Sequence, residues 1–172
     1  QPCSSAASDV YKRQIFHLAA IVSAGAEEDF DLGMSVNLDA TRNILEICRG
    51  NRTKPKVVFA SSCAGFGGDM PRIIEDMTAR TPQTSYGTQK VIGELLINDY
   101  SRKGFIDGRA LRFPTVVVRP GKPNKAASTF ASSIIREPLQ GQTALCPVAP
   151  ESKMFLASPR SIVQNIVHAH NL

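Results

Sequence analysis

A chain of 172 residues with 42% hydrophobic side chains is long enough to bury one core and build one domain. Its net charge of +5 is spread along the chain, and the absence of a concentrated basic block argues against a nucleic-acid partner. No apolar run approaches the ~20 residues of a membrane span.

The four cysteines, Cys3, Cys48, Cys63 and Cys146, sit in separate segments and form no Cys-x-x-Cys pair. That pattern fits reduced thiols in the cytoplasm and supplies neither a disulfide framework nor a metal site.

Residues 1–14 lack periodicity and are read as extraneous to the fold. They resemble a spurious terminal string found on reading frames translated from metagenomic reads. Ile15–Leu18 reads as a buried strand, and Ala19-Ala20 turns into a polar loop. The spacing of Val36, Leu38, Ala40, Ile44, Leu45, Ile47 and Cys48 predicts a helix over 31–49, closed by Gly50-Asn51. Lys56–Ser61 is a strand. The stretch from Ser62 to Ser85 is a long loop carrying Gly65, Gly67, Gly68, Pro71 and Pro82, too long for an idle connection.

A helix follows over Tyr86–Arg102, stopped at Gly104. Arg109–Phe113 is a strand ended by Pro114, with Val116–Val118 extended beyond it. Thr129–Arg136 is a short helix, Lys153–Ala157 a strand, and Ser158-Pro159 opens a helix over Arg160–His170, where the chain stops without a cap. Both ends look cut. Strands alternating with helices predict βαβ units and a parallel sheet. Ala19-Ala20, Ser61-Ser62 and Pro114-Thr115 all lie just past strand ends, on the edge where open α/β sheets bind ligands.

Tyr86 and Lys90 stand one turn apart at the head of a helix. An ammonium beside a phenol favours the phenolate, which would depress Tyr86 below its usual pKa of about 10 and let it take a proton from an alcohol. Ser62 could hold the same substrate oxygen. The pair alone is weak evidence, and its context after a strand ending in Ser-Ser and a Gly-rich loop strengthens it. His17 reads as a packing residue because no second ligand stands at metal spacing. Cys63 reads as packing because no partner is identifiable. Glu75-Asp76 reads as a solvated loop, and His168 and His170 cannot meet at i, i+2.

His17-Leu18-Ala19-Ala20, Asn37 within Val-Asn-Leu-Asp-Ala-Thr-Arg-Asn, Ala60-Ser61-Ser62-Cys63-Ala64-Gly65-Phe66-Gly67 and Tyr86-Gly87-Thr88-Gln89-Lys90 occur in one order. Over residues 15–172 the chain thereby resembles the extended short-chain dehydrogenases/reductases, the NAD-dependent epimerase/dehydratase family. The resemblance implies an α/β, Rossmann-like doubly wound parallel sheet. It implies Tyr86 as acid/base, Ser62 on the substrate oxygen and Lys90 on the nicotinamide ribose. Leu18, Ala19, Ala20, Asn37, Tyr86, Lys90 and Pro114 would lie along NAD, with NADP equally open. The implied division is a partial NAD-binding domain over 15–118 and the truncated start of a substrate region over 119–172.

Two departures stand out. No Gly-x-x-Gly-x-x-Gly loop opens a helix in this sequence, so the expectation is a fragment that lacks the family's pyrophosphate site. Where sugar-nucleotide enzymes carry Asn-x-Tyr-Gly-Pro, this chain reads Phe113-Pro114-Thr115, continuing to Arg119-Pro120-Gly121-Lys122. With Ser133-Ile134-Ile135-Arg136-Glu137-Pro138 it resembles the family's D-erythronate-oxidising branch, which implies a small sugar acid as substrate. Arg119 and Arg136, with Lys122 or Ser132, are the candidates for its carboxylate. The implied function is hydride transfer from a sugar-acid hydroxyl to NAD. The alternatives are a sugar-nucleotide epimerase or dehydratase, or an inert fragment. Helices flanking the active-site edge commonly pair in such families, which points to a homodimer. For the 172 residues as they stand, the expected result is negligible NAD binding; tight binding in calorimetry would overturn this.

Overall fold

The computed structural model describes residues 14–51, 53–119 and 127–172. The segment read as extraneous therefore lies outside the described residues apart from Gln14, which opens the first strand. Strands β1 (Gln14–His17), β2 (Lys56–Ser62) and β3 (Asp107–Phe113) pair in parallel in that order. Phe16 stands opposite Val58, and Val58 opposite Arg109. Parallel neighbours need long crossovers. The first runs through α1 (Ser23–Glu28), α2 (Phe30–Gly33), a π-helical turn (Met34–Asp39) and α3 (Ala40–Asn51). The second runs through a 3₁₀ turn (Cys63–Gly65), a loop and α4 (Ser85–Arg102). Beyond β3, the short strand β4 (Thr115–Val116) pairs in parallel with β5 (Leu156–Ala157). Helices α5 (Phe130–Arg136) and α6 (Pro159–Asn171) complete the described elements.

Alternation along the strands sorts the two faces of the sheet. Val57 and Phe59 join Leu45, Cys48, Ile97 and Ile106 in the core beneath α3 and α4. On the other face, Phe16 stacks on His170 of α6 with centroids 5.4 Å apart, and Lys56 Nζ donates to the His170 carbonyl. Helices therefore cover both faces, which is why β2 reads as an unbroken apolar run. Each fully buried Phe59, Leu45, Ile97 or Ile106 contributes roughly 1.5–3 kcal/mol.

Helix α4 is set by local chemistry at both ends. Thr84 caps it by accepting from Gly87 N at 3.0 Å. Gly104, at φ +77°, lets the chain leave the last turn in the left-handed region. Its side chains then lock it to the sheet: Glu94, 2% exposed, receives Ser61 Oγ at 2.5 Å and both Nε and Nη2 of Arg112 at 3.0 Å.

Several elements differ from the sequence expectation. The helix expected over 31–49 runs from Phe30 to Asn51 and contains the π turn. The polar loop after Ala20 contains α1, whose only buried residue is Ala26, so packing and not its own pattern holds it. Ser62 belongs to β2, the extended stretch expected over 116–118 gives way to the two-residue strand β4 at Thr115–Val116, and the strand expected over 153–157 shrinks to β5, because only those residues find a ladder partner.

Gly87 is where the fold leaves least room. A Cβ there would stand 2.2 Å from the Ala64 carbonyl oxygen, a backbone atom with no side-chain freedom to yield. Gly87→Ala is expected to destabilise the chain by about 1–3 kcal/mol, the usual range for overpacking. Urea unfolding measures it, and an unchanged midpoint would contradict the close approach.

Candidate active site

The C-terminal ends of the strands open onto a cavity of about 730 Å³. Leu18 and Ala20 line it from the segment after β1, Ser62 from the end of β2, Pro114 from the end of β3, and Tyr86 and Lys90 from the first turns of α4. Ala19, between Leu18 and Ala20, is exposed and stands outside the lining. The catalytic candidates Ser62, Tyr86 and Lys90 thus meet at one place, brought there by a strand end and a helix start.

Ser62 is in extended backbone and its Oγ accepts from Ala64 N at 3.1 Å, which turns the chain into the 3₁₀ turn. Lys90 is 2% exposed; its ammonium donates to the Ala60 carbonyl at 2.8 Å and lies 4.8 Å from the Phe59 ring centroid and 5.7 Å from that of Tyr86. Burial strips water from that charge and pulls its pKa down to about 8.

Tyr86 corrects the sequence reading. Burial pushes its phenol above the usual value, and a hydrogen bond with Ser62 opposes the shift without cancelling it. The ammonium at i+4 favours the phenolate, but desolvation, which spacing does not encode, disfavours the charged form of both members of the pair.

The other sequence candidates fall into two groups. Asn37, in the π turn, is 1% exposed and does not line the cavity. Its Oδ1 accepts from Ile21 N at 2.8 Å, while its Nδ2 donates to Ile21 O at 3.0 Å and to Gln89 Oε1 at 2.7 Å. Asn37 therefore braces the segment that follows Ala20. His17 sits 2.8 Å from Thr41 Oγ1, whose own proton goes to Asn37 O at 2.7 Å. His17 Nε2 must then be the donor, which fixes the tautomer. Burial and the Lys90 charge hold its pKa below the ordinary value. Among the described residues no His/Cys/Asp/Glu group could hold a metal ion.

Arg119 lines the cavity, with its backbone N–H on Ser132 Oγ at 3.1 Å. Arg136 stands outside the lining. It donates to the Arg119 carbonyl at 2.6 Å and to Glu137 Oε1 at 2.5 Å, holding Arg119 from behind. Lys122 lies outside the described residues.

Sequence reasoning missed Gln89, Glu94, Arg72 and Lys153. The last two line the cavity. Tyr86, Lys90 and Glu94 repeat every four residues, so continuing the stripe one more turn would have found Glu94.

The match to the family model described as "NAD dependent epimerase/dehydratase family" extends over residues 4–154. The chain is 61% identical over 158 residues to D-erythronate dehydrogenase of Haemophilus influenzae, covering 92% of this chain and 50% of that protein. It is also 61% identical to D-erythronate dehydrogenase of Cupriavidus necator, with coverages of 92% and 49%. Among solved structures, the nucleoside-diphosphate-sugar epimerase of Agrobacterium tumefaciens superposes with a TM-score of 0.88 at 53% identity, covering 92% of this chain and 47% of that one. The chain spans about half the length of the curated relatives it matches. The parallel sheet, the cavity at its strand ends and these matches agree: the chain belongs to the NAD-dependent epimerase/dehydratase family.

Proposed function

We propose that the protein to which these residues belong oxidises a hydroxyl of a small sugar acid of the D-erythronate type, with NAD as hydride acceptor. The observation that carries this reading is the meeting of Ser62, Tyr86 and Lys90 on one cavity whose lining also includes Arg72, Arg119 and Lys153 and, among the described residues, no acidic side chain. The identity to two D-erythronate dehydrogenases supports the substrate class.

The residues present fit the nicotinamide end of the cofactor. The buried Lys90 ammonium has three donor hydrogens and, among the described residues, one hydrogen-bond acceptor, Ala60 O. It faces a cavity walled on the other side by Leu18 and Ala20. Lys90 would hold the ribose, with Leu18, Ala20 and Pro114 flanking, and Asn37 fixing the segment behind Ala20. When bound, NAD supplies the hydride acceptor.

The chain's own groups handle the proton. Ser62 Oγ orients the substrate oxygen; Tyr86 first releases its own proton to solvent, and the hydroxyl proton then passes to the resulting phenolate. Because burial keeps the phenol neutral near pH 7, the phenolate forms at the expense of a raised pKa, and the Lys90 ammonium 5.7 Å from the ring centroid stabilises the charge as it develops. In the reverse direction the neutral phenol is already the proton donor. The free thiols Cys48, Cys63 and Cys146 support a cytoplasmic setting, and among the described residues no helix is long and apolar enough to cross a membrane. Exposed Ile47 on α3 and Leu95 on α4 support pairing of two copies. The similarity to the Agrobacterium epimerase favours the second reading, a sugar-nucleotide epimerase. Turnover of sugar acids against nucleotide sugars separates the two.

In the protein carrying the full length of its relatives, Tyr86→Phe is expected to lower kcat for the sugar acid by at least ~100-fold with NAD affinity little changed. Ser62→Ala is milder, because it removes a hydrogen bond and leaves the proton acceptor. The oxidation rate should climb from neutral pH as more of Tyr86 ionises and level off above about pH 8, where Lys90 loses the charge that stabilises the phenolate; Tyr86→Phe should flatten that climb. Normal turnover with Phe at position 86 would refute the assignment.

Lys90 gives a stability test. Its folded pKa, about 8, lies below the unfolded value of 10.5, so the fold disfavours the charged form. The penalty, roughly 3 kcal/mol at most at 1.36 kcal/mol per unit, is full below pH 8 and fades between about 8 and 10.5. Lys90→Met should therefore melt higher than the parent at pH 7, lose that advantage near pH 10.5, and lose both rate and NAD affinity. A lower melting temperature at pH 7 would contradict the burial cost.

A further inference from the structure

Residues 67–81 leave the catalytic edge of the sheet and return to it as an Ω-type loop. The neck is closed by Thr81 Oγ1, which donates to Gly67 O at 2.6 Å. Both feet are tied to one carboxylate. Arg80, at the far foot, lies 3.4 Å from Glu94 Oε2. At the near foot, Phe66 lies under the Arg112 guanidinium at 5.3 Å, and Arg112 grips the same Glu94. Glu94 stands one turn beyond Lys90 on α4, so the loop is anchored to the helix that carries the catalytic pair.

Between those feet, Met70, Pro71, Arg72 and Ile74 line the cavity. Among the described residues, Arg72 is the loop's one cavity-lining charge, and its exposed side chain makes no hydrogen bond or ion pair there. Among the described residues, the cavity gathers Arg72, Lys90, Arg119 and Lys153 and no Asp or Glu. Four like charges on one concave surface repel one another until a ligand brings the opposite sign. Lys90 donates to Ala60 O, and its remaining donors are those proposed above for the ribose. Arg119 rests against Thr129 Oγ1 at 3.5 Å. Arg136, the other arginine considered for the substrate, is paired with Glu137. Arg72 is left with an unoccupied planar fork, the geometry that matches a carboxylate or phosphate oxygen pair.

We propose that Arg72 is a specificity-determining residue: it binds the substrate's anionic group, held over the cavity by a loop that Glu94 pins at both feet. This rests on the reading of the cavity as the active site. Under the proposed function the anionic group is the carboxylate of a sugar acid. Under the epimerase reading it is a diphosphate, and the assay tells the two apart.

The test uses the protein at full length with NAD. Arg72→Gln should raise KM for the sugar acid at least 10-fold with kcat within about 3-fold, Arg72→Lys should fall between, and kcat/KM for the matching neutral polyol should stay unchanged. The melting temperature of Arg72→Gln should equal the parent's, because the side chain has no partner among the described residues. Arg80→Gln, which releases one foot, should also raise KM for the acid. An unchanged KM for the acid in Arg72→Gln, or an equal loss on the neutral polyol, overturns the proposal. If the parent turns over nucleotide sugars and no sugar acid, the proposed function fails. Arg72 is then judged by KM for the nucleotide sugar, which a 10-fold rise supports and no change overturns.

Discussion

A buried carboxylate costs several kcal/mol unless its oxygens are fully engaged, and the rest of this structure follows from how Glu94 is engaged. Its partners come from three directions: Ser61 on β2, Arg112 on β3 and Arg80 at the foot of the long loop. Those contacts fix the rotation and height of α4 above the sheet. Lys90 is one turn earlier on the same stripe and Tyr86 two turns earlier, so fixing Glu94 fixes them. Strand geometry supplies the other half of the site. Ser61 and Ser62 point to opposite faces, so the serine that anchors the helix delivers its neighbour to the cavity.

The site itself is held in tension. Lys90 is an ammonium almost without water, compensated by one carbonyl and two aromatic faces, and Tyr86 is a phenol whose ionisation burial opposes. Neither arrangement serves the resting fold; both concentrate electrostatic influence where the proposed reaction would move a proton. Tight approach makes this workable. Gly87 lets the start of α4 sit against the Ala64 carbonyl, and Gly93 lets the Phe59 ring lie where a Cβ would be 2.7 Å from its edge. On the far side, the chain from His17 through Thr41 and Asn37 to Ile21 and Gln89 links β1, the π turn and α4. A π turn inside a helix commonly marks a functional position, and here it carries the residue that braces the cavity wall.

What was legible in the sequence followed from periodicity and from punctuation. The central strand read as an apolar run, α4 read from its pattern and from Gly104, and α6 read from Ser158-Pro159, whose cap the structure shows as Ser158 Oγ accepting from Ser161 N. Position along the chain was enough to place Ser62, Tyr86 and Lys90 together, because strand ends share one edge in a parallel sheet. Three things were hidden for physical reasons. Helix α1 has no apolar face of its own, so nothing local announces it. The direction of the Tyr86 shift depends on how much water reaches the ring, which spacing does not encode. The choice between Arg72 and Arg136 turns on whether a neighbour satisfies the guanidinium, and Glu137 next to Arg136 reads in sequence as any adjacent pair of surface charges.

The two kinds of work in this site are built on different material. In the proposed reaction, proton handling would rest on the end of β2 and the head of α4, both locked by backbone hydrogen bonds, a capping threonine and the Glu94 network. The cations that line the cavity beyond Lys90 come from elsewhere: Arg72 from the long loop, Arg119 from the segment after β4, and Lys153 from just before β5. Loops tolerate sequence change far better than packed elements. Such a division lets substrate choice drift while the acid–base chemistry stays fixed. Relatives carrying names as different as D-erythronate dehydrogenase and nucleoside-diphosphate-sugar epimerase are what that architecture would produce. The cost of the arrangement falls on Glu94, since one buried carboxylate secures both the helix proposed to carry the chemistry and the loop proposed to select the substrate. The two functions are separate in residues and joined in stability.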